Sequence, residues 1–467
     1  MHGLRKRQPL VQGTAARIDL SCRVNREKEM RVGFVTFGCR LNRAEALDLE
    51  TQYAAAGWEV VTVRIPASPS PHPFSPSTPQ PLNTSTPDRI IVRGCSVTAK
   101  AQRDCEKAIA HLRARFPRAD IRLTGCLPEA TGDVCPTRLN GATAPSPATQ
   151  TASDSQFLLS DSHSRAYLKV QDGCSGKCAY CIVPTFRGPP VSTPFDEIIA
   201  RARALIAAGY RELVITGCNL CLYRNAGRGL PELAAALAGL ESPGHRIRLG
   251  SIEPGLCDAR LIDALESHPN ICRFIHLSLQ SGSDRVLRLM RRPYTMEQIA
   301  AFCGDARRRL GPRLALGADL ITGFPGETDD DFAITKDFLS SPPHLFTSPF
   351  LHLHVFPYSE RPGTEAATMK PAVPMAIRRI RARELERIGA TNRATYAQAL
   401  TGREVVVCVE KDGNGRTDEY LRCLLNGAAS RRSLVRAMVT EYFPKTGALS
   451  ATICAQDQKE EHNHDNA

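Results

Sequence analysis

The sequence lacks any apolar run long enough to cross a membrane, since a spanning helix needs about 20 consecutive apolar residues. Its basic N-terminal stretch, MHGLRKRQPLVQG, also lacks the apolar core that a secretory signal requires. We therefore expect a cytoplasmic protein with no membrane partner. Thiols stay reduced in that compartment, so clusters among the 17 cysteines are expected to be metal or redox ligands rather than disulfides.

Acidic residues are fewer than basic ones. The chain contains 48 aspartates and glutamates and 60 lysines and arginines, which gives a net charge of +12. This excess fits a polyanionic partner such as nucleic acid, although a merely basic surface would give the same balance. Runs of arginine at 291–292, 307–309 and 431–432 concentrate the charge locally. This concentration favours nucleic acid as the partner.

Two internal segments are poor in apolar residues and rich in proline, serine and threonine. Residues 66–87 are predicted to be a disordered insert, because such a composition cannot pack a core. Residues 131–163 are predicted to be a linker. Residues 1–29 are predicted to be an extension before a natural start at Met30, and residues 457–467 a tail.

Strands alternate with helices through the rest of the chain, which predicts an α/β protein. A first strand at 31–37 and a helix at about 43–56 begin a parallel α/β domain, expected over residues 30–145. Six further strand–helix units predict a partial (β/α)6 barrel over residues 160–395. Short strands at 396–456 suggest a small β-barrel.

Three cysteines, Cys174, Cys178 and Cys181, have the spacing Cys-x3-Cys-x2-Cys. Thiolates are the usual ligands of a 4Fe–4S cluster, and three of them would leave one iron open for chemistry. The spacing, with Tyr180 before the last cysteine, resembles the radical S-adenosylmethionine (SAM) enzymes. A zinc knuckle or a chance match is the alternative. Cys218 could be mistaken for half of a metal pair with the nearby Cys221, and both are interpreted as incidental.

A second set of cysteines lies in the first domain, where Cys39, Cys95 and Cys126 each follow a predicted strand. The carboxyl ends of strands in a parallel sheet meet in one crevice. These thiols could therefore hold a second cluster with one open iron. The alternative is three buried thiols, since cysteine is often buried.

Longer motifs along the chain resemble one family over about residues 31–455. They are FGCRLNRAEA, GCSVTAKAQRD, TGCLPE, YLKVQDGCSGKCAYCIVP, LSLQSGSDRVLRLMRRPYT, DLITGFPGET and HVFPYSERPGT. These motifs, and the order in which they occur along the chain, are similar to those of the methylthiotransferase family of radical SAM enzymes. The resemblance implies an N-terminal domain with its own 4Fe–4S cluster, a radical SAM barrel and a C-terminal TRAM domain that binds RNA. Two clusters are then expected, on the two cysteine triads.

Strand ends of the barrel supply further candidates for binding SAM, because sites in such barrels lie at the carboxyl ends of strands. For each of these residues, an ordinary loop or turn role is the alternative. The candidates are Thr216, Gly217 and Asn219 for the amino group, Glu253 for ribose hydroxyls, Gln280 and Ser281 for other polar groups, and Gly323, Pro325 and Gly326 for a turn near adenine.

The substrate is suggested by the run MRRPYT, which resembles family members that act on threonylcarbamoyladenosine in tRNA. The resemblance implies that two SAM molecules, a sulfur source and an electron donor such as flavodoxin or ferredoxin produce a 2-methylthio group at adenine C2. Arg291 or Arg292 could pair with the carboxylate of the threonylcarbamoyl group. Solvent-facing or phosphate-binding arginines are the alternative for these two residues.

Other functions stay open at this point. Related branches act on isopentenyladenosine in tRNA or on a ribosomal-protein residue. A non-catalytic RNA-binding protein stabilised by zinc would also explain the cysteines and the charge. The sequence departs from the family at Arg93 and Gly94, where an asparagine and a threonine commonly precede the second cysteine.

Overall fold

The computed structural model describes residues 30–63, 65, 86–127, 164–242, 244–257, 259–340, 350–410 and 413–454. The predicted extension, linker and tail, and nearly all of the predicted insert, therefore lie outside the described residues. The boundaries of the three domains stay predictions. Among the helices that the structure describes, none combines the length and the apolar composition of a membrane span.

The first unit is a parallel four-stranded sheet with helices between its strands. Its elements are β1 (Arg31–Thr36), α1 (Arg40–Ala55), β2 (Glu59–Thr62), β3 (Arg89–Cys95), α2 (Ala99–Arg115) and β4 (Asp120–Cys126). The strand order is β2-β1-β3-β4. Apolar side chains such as Val32, Ile90 and Val92 are fully buried in this sheet, as its β-branched runs predict.

The second unit contains parallel strands in two connected sheets, of orders β5-β8-β9 and β10-β11-β12-β13. The segments β9 and β10 flank Gly250 and together form one of six barrel strands. The strands are β5 (Ala166–Lys169), β6 (Gln171–Asp172), β7 (Val191–Ser192), β8 (Glu212–Thr216), β9 (Arg246–Leu249), β10 (Ser251–Ile252), β11 (Phe274–Gln280), β12 (Ala315–Thr322) and β13 (Phe350–Pro357). Strands β6 and β7 form a separate short antiparallel pair.

Helices surround these strands. They are α3 (Val183–Arg187), α4 (Phe195–Ala207), α5 (Leu230–Ala238), α6 (Ala259–Ser267), α7 (Asp284–Leu289), α8 (Met296–Leu310) and α9 (Asp329–Ser340). Leu213, Ile215 and Leu277 are among the barrel residues with no exposed surface. The predicted partial barrel is confirmed, and its carboxyl ends carry the candidate site.

The third unit is a closed five-stranded barrel that follows the long helix α10 (Met375–Gln398). Its strands are β14 (Glu404–Val409), β15 (Asn414–Thr417), β16 (Arg422–Asn426), β17 (Leu434–Phe443) and β18 (Ala448–Ile453), in the order β14-β15-β16-β18-β17. The predicted small β-barrel is thereby confirmed.

The third unit covers the amino ends of the barrel strands of the second unit. Tyr420, between β15 and β16, stacks on Phe274 at the start of β11 with ring centroids 5.6 Å apart. The guanidinium of Arg246 lies 2.5 Å from Glu212 Oε2 and 2.7 Å from Asp418 Oδ1. This interface closes one mouth of the barrel and leaves the other, at the carboxyl ends, for the site.

Candidate active site

The triad of Cys174, Cys178 and Cys181 lies on the loop between β6 and α3. Backbone hydrogen bonds fix this loop, because the amide of Cys174 donates to the Gly188 carbonyl at 3.0 Å and that of Cys181 to Cys178 at 3.1 Å. A Cβ on Gly176 would lie 3.2 Å from the Cys174 sulfur and 3.7 Å from that of Cys178. Gly176 therefore leaves the space around these thiols clear, and all three cysteines are partly exposed.

The aromatic residue between the last two cysteines anchors the loop on the barrel. Tyr180 meets Phe324 edge to face, with centroids 6.4 Å apart and planes at 82°. Phe324 is fully buried and also contacts Tyr358 in an edge-to-face arrangement at 5.4 Å. The turn at 323–326 therefore supports the cysteine loop through the contact between Phe324 and Tyr180.

Arg292 links this triad to the barrel. Its Nη1 donates to the Cys178 sulfur at 3.1 Å, and its Nη2 lies 3.2 Å from Glu253 Oε1. Its Nε donates to the Tyr294 hydroxyl at 2.8 Å. Arg291 is half-exposed and pairs with Glu365 at 2.7 Å. Since both guanidinium groups already have carboxylate partners, their pairing with a substrate carboxylate stays a prediction.

Most of the other candidates lie around the strand ends beside this triad. The Asn219 amide nitrogen Nδ2 donates to Glu253 Oε2 at 2.7 Å. The backbone amide of Asn219 donates to Gln171 Oε1 at 2.9 Å, and a Cβ on Gly217 would lie 3.0 Å from that same oxygen. Thr216 ends β8 and is buried. The sequence reasoning missed Gln171, although a polar side chain beside the cysteine loop was a signal.

The remaining candidates form two further strand-end turns. Gln280 ends β11 in a left-handed conformation with φ of 67°, and the following Ser281 is buried. The amide of Gly323 donates to Glu327 Oε2 at 2.6 Å. Gly326 has φ of 82° and donates to the Pro371 carbonyl. Phe324 of the same turn contacts Tyr180, so Gly323, Pro325 and Gly326 suit a turn that supports the cysteine loop, and their contact with adenine stays a prediction.

The first triad along the chain, Cys39, Cys95 and Cys126, forms at the edge of the first sheet, and Cys174, Cys178 and Cys181 are the second triad. Cys95 and Cys126 end β3 and β4 and are register partners across them. Cys39 caps the start of α1. A Cβ on the preceding Gly38, whose φ is 89°, would lie 2.8 Å from the Cys95 Cβ. Glycine there lets the Cys39 loop lie against Cys95, and burial raises the pKa of the Cys95 thiol to about 12.

Thiol spacing distinguishes between a single ion and a cluster. Within the part of the chain that the structure describes, neither triad has all three sulfurs within 4.8 Å of one another. A zinc ion holds each sulfur at about 2.3 Å, so its ligands would lie within about 4 Å of one another. The donor chemistry of both triads suits a 4Fe–4S cluster, because thiolates are the ligands that such clusters prefer.

A buried ionic network connects the sheet that carries Cys95 and Cys126 with β5, β6 and α3 of the second unit. Glu45 on α1 contacts Arg93, and its Oε1 lies 2.6 Å from Lys169 and 3.0 Å from Arg187. Burial alone would raise the pKa of Glu45, but these three cations hold it well below its usual range. Arg93, which replaces the common asparagine of the family, is thus paired with a carboxylate inside the protein.

Two cysteines near the site were interpreted as incidental. Cys218 donates to Asp172 Oδ1 at 3.3 Å. Cys221 instead lies 3.6 Å, sulfur to sulfur, from Cys257. Their side chains therefore have different neighbours, and the interpretation stays a prediction.

One further group was missed by the sequence reasoning. Asp319 Oδ1 lies 3.0 Å from His276 Nε2 and 3.1 Å from His354 Nδ1, on three adjacent strands. A Cβ on Gly317 would lie 2.3 Å from His276 Nδ1, so glycine makes room for this ring. The three side chains could hold a metal ion. The sequence could have indicated this group only through the alignment of these three residues across β11, β12 and β13.

Comparisons with known proteins match this geometry. Residues 168–339 match the Radical SAM superfamily. The chain is 32% identical over 391 residues to threonylcarbamoyladenosine tRNA methylthiotransferase MtaB of Chlamydia pneumoniae, covering 81% of this chain and 86% of that protein. It is 28% identical over 445 residues to the protein of the same name from Aquifex aeolicus, covering 88% and 100%.

A differently named relative is the tRNA-2-methylthio-N(6)-dimethylallyladenosine synthase of Cereibacter sphaeroides, 36% identical over 288 residues that cover 60% of this chain and 64% of that protein. Among solved structures, the chain is similar to the radical SAM methyltransferase TsrM from Kitasatospora setae. That similarity has a TM-score of 0.46 and 13% identity, and it covers 66% of this chain and 72% of TsrM.

Proposed function

The chain belongs to the methylthiotransferase family of radical SAM enzymes, and from this we propose that it converts N6-threonylcarbamoyladenosine in tRNA to its 2-methylthio derivative. The observation that carries the proposal is a buried ionic network that links the sheet bearing one cysteine triad to the segment bearing the other. The reaction needs a radical at one centre and sulfur at another. Relatives named for this substrate cover most of the chain's length.

SAM and an iron–sulfur cluster follow from the match to the superfamily. We propose Cys174, Cys178 and Cys181 as the cluster's ligands, with SAM bound at its open iron. Bound in this way, the pair supplies a deoxyadenosyl radical that can take hydrogen from the unactivated C2 position of adenine. Asn219 is held by Glu253 and Gln171, and Glu253 also pairs with Arg292, which contacts Cys178, so both residues present fixed polar atoms near this triad.

Another 4Fe–4S cluster, on Cys39, Cys95 and Cys126, is also part of the proposal and is called the first cluster because its ligands come first in the chain. The register pairing of Cys95 with Cys126 and the clearance at Gly38 support it. We propose that a reduced flavodoxin or ferredoxin is the electron donor. The sulfur source is a separate partner.

The C-terminal barrel is proposed to hold the tRNA. Arg403, Arg422 and Lys445 expose their side chains on this unit. Contacts between such cations and RNA phosphates weaken as salt rises, because counterions are released on binding. The adenine must leave the stack of the anticodon loop to reach the open mouth of the catalytic barrel.

Mass spectrometry of tRNA nucleosides tests the substrate, in a host that lacks the modification. We expect 2-methylthio-threonylcarbamoyladenosine only when the gene is present, and its complete loss in the Cys178→Ala variant. Cys454→Ala, at a cysteine outside both triads, is the matched control and should retain the product.

Two other outcomes would change the conclusion. The isopentenyl derivative in place of the threonylcarbamoyl one would show that the substrate is wrong while the chemistry holds. Absence of both from cells whose enzyme carries its clusters would overturn the proposed tRNA activity.

A further inference from the structure

Arg187 links the segment that carries one cysteine triad to a sulfur of the other triad. It ends α3, six positions after Cys181 in the chain, and so belongs to the segment that carries the second triad. Its side chain nevertheless reaches the first triad, where Nε donates to the Cys126 sulfur at 3.1 Å. Only 8% of this side chain is exposed. One residue of the catalytic barrel thus contacts a sulfur of the neighbouring sheet.

Every donor of this guanidinium has an acceptor. Nη1 lies 3.0 Å from both Glu45 Oε1 and Asp172 Oδ1, and Nη2 lies 2.9 Å from Asn42 Oδ1 and 3.3 Å from Glu45 Oε2. With Nε on sulfur, all five N–H groups of an arginine are used. The fork cannot rotate without breaking several charged hydrogen bonds, so the direction of the Nε donor is fixed.

The network beside Cys126 contains more cations than carboxylates. Two carboxylates, on Glu45 and Asp172, face three cations, on Arg93, Lys169 and Arg187. Burial of charge without a partner is costly, which makes an excess of one positive charge unusual inside a protein. Burial raises the pKa of the Cys126 thiol, so its sulfur is expected to be a thiolate when it binds a cluster iron, and the cation of Arg187 then lies 3.1 Å from it.

We propose that Arg187 is a positioning residue that holds the Cys126 thiolate by an N–H···S hydrogen bond and thereby raises the reduction potential of the first cluster. This inference rests on the cluster proposed above for Cys39, Cys95 and Cys126. Reduction adds negative charge to a cluster, and a hydrogen bond or a cation at its sulfur stabilises that state. The low dielectric of a buried site strengthens the effect.

The second triad offers a matched comparison. Arg292 Nη1 donates to the Cys178 sulfur at the same distance, 3.1 Å, and is also fixed by a carboxylate, on Glu253. Each triad thus has one cysteine that accepts from a clamped arginine. A substitution at either arginine should therefore affect one cluster and not the other.

The test uses the full-length chain with Cys174, Cys178 and Cys181 all changed to alanine, which retains only the first triad. After anaerobic reconstitution, iron per chain is measured, and the midpoint potential is followed by electron paramagnetic resonance during a redox titration. We expect Arg187→Met to move the midpoint to a more negative potential. Arg187→Lys keeps the charge but not the directed donor, so a smaller shift in the same direction is expected. Arg292→Lys in this background should leave the midpoint unchanged.

The outcomes separate this inference from the proposed function. A parent variant that binds no iron would overturn the first cluster, and the role of Arg187 with it. A loaded Arg187→Met variant with an unshifted midpoint would overturn the role of Arg187 alone. A loaded lysine variant with an unshifted midpoint would overturn the hydrogen bond. If the Arg187→Met variant does not bind iron, the midpoint potential of the Arg187→Lys variant decides whether Arg187 affects the first cluster.

Discussion

Single residues in this protein carry buried charges that support the contact between two units. Glu212 at the start of β8 has no exposed side-chain surface and accepts from Arg248 Nε at 2.7 Å and from Arg246 Nη2 at 2.5 Å. Burial alone would raise the pKa of Glu212, but the guanidiniums of Arg248, Arg246 and Arg165 hold it well below its usual range. These arginines also donate to the C-terminal barrel, so one carboxylate supports an interface.

A Glu212→Gln substitution should lower the free energy of unfolding by about 3–5 kcal/mol, because it leaves buried guanidiniums without their negative partner. Chemical denaturation at pH 7 measures the loss. Asp104→Asn, in the exposed pair with Lys100, is the control and should change stability by less than about 1 kcal/mol.

The same variant has a defined pH dependence. A carboxyl whose pKa is lowered by folding stabilises the protein fully above its unfolded pKa of 4.5, and this contribution falls as the pH drops below that value. The stability gap between wild type and Glu212→Gln should therefore be constant near pH 7 and narrow below about pH 4.5. A gap that widened in acid would contradict this account.

At the scale of elements, the turn before α1 decides whether the first triad can form. Gly38 has φ of 89°, and a Cβ there would lie 2.8 Å from the Cys95 Cβ. We expect Gly38→Ala to reduce the iron content from about eight to about four per chain, because only the first cluster is lost. Iron analysis after anaerobic reconstitution measures this.

A matched glycine separates backbone strain from the clash. Gly57, after α1, has φ of 83°, but nothing lies within 4 Å of its added Cβ. Gly57→Ala carries the same kind of backbone penalty, of about 1 kcal/mol, and should retain all of the iron. Equal iron loss in both variants would show that strain alone, rather than contact with Cys95, is responsible.

Patterns along single elements allowed much of this architecture to be predicted. Alternating strands and helices gave the parallel sheet and the partial barrel, and cysteines after strands were expected to meet at one edge. The helix predicted from residue 43 begins at Arg40. The earlier start was not predicted because its capping residue is Cys39, which makes no side-chain hydrogen bond of the kind that marks most helix starts. Strand β15 was missed because its sequence, Asn-Gly-Arg-Thr, has little β-propensity.

Contacts between elements could not be predicted in the same way. Arg187 and Glu45 are 142 positions apart, and nothing in the local sequence of either residue indicates the other. The triad of His276, Asp319 and His354 likewise depends on the register of three strands. Roles of individual residues in the site therefore stay predictions where they depend on such pairings.

At the scale of the whole molecule, one aromatic ring lies where the three units meet. Tyr420 of the C-terminal barrel stacks on Phe274 of the catalytic barrel. The guanidinium of Arg40, from the first unit, lies 5.2 Å from the centre of the same ring, and that of Arg248 lies at 4.9 Å. Stacking and cation–π contacts thus converge on a buried side chain.

Tyr420→Ala should lower the free energy of unfolding by about 3–5 kcal/mol, as expected for loss of a large buried aromatic ring. Because the ring bridges separate units, the loss should also uncouple them, and thermal unfolding followed by calorimetry should split into two transitions. Tyr420→Phe retains the ring, its stacking and its cation–π contacts, so this control should unfold in a single transition with a smaller loss. If the alanine variant also unfolded in one transition, the three units would be joined mainly by the buried ion pairs of Glu212 and its arginines, and not by the ring between them.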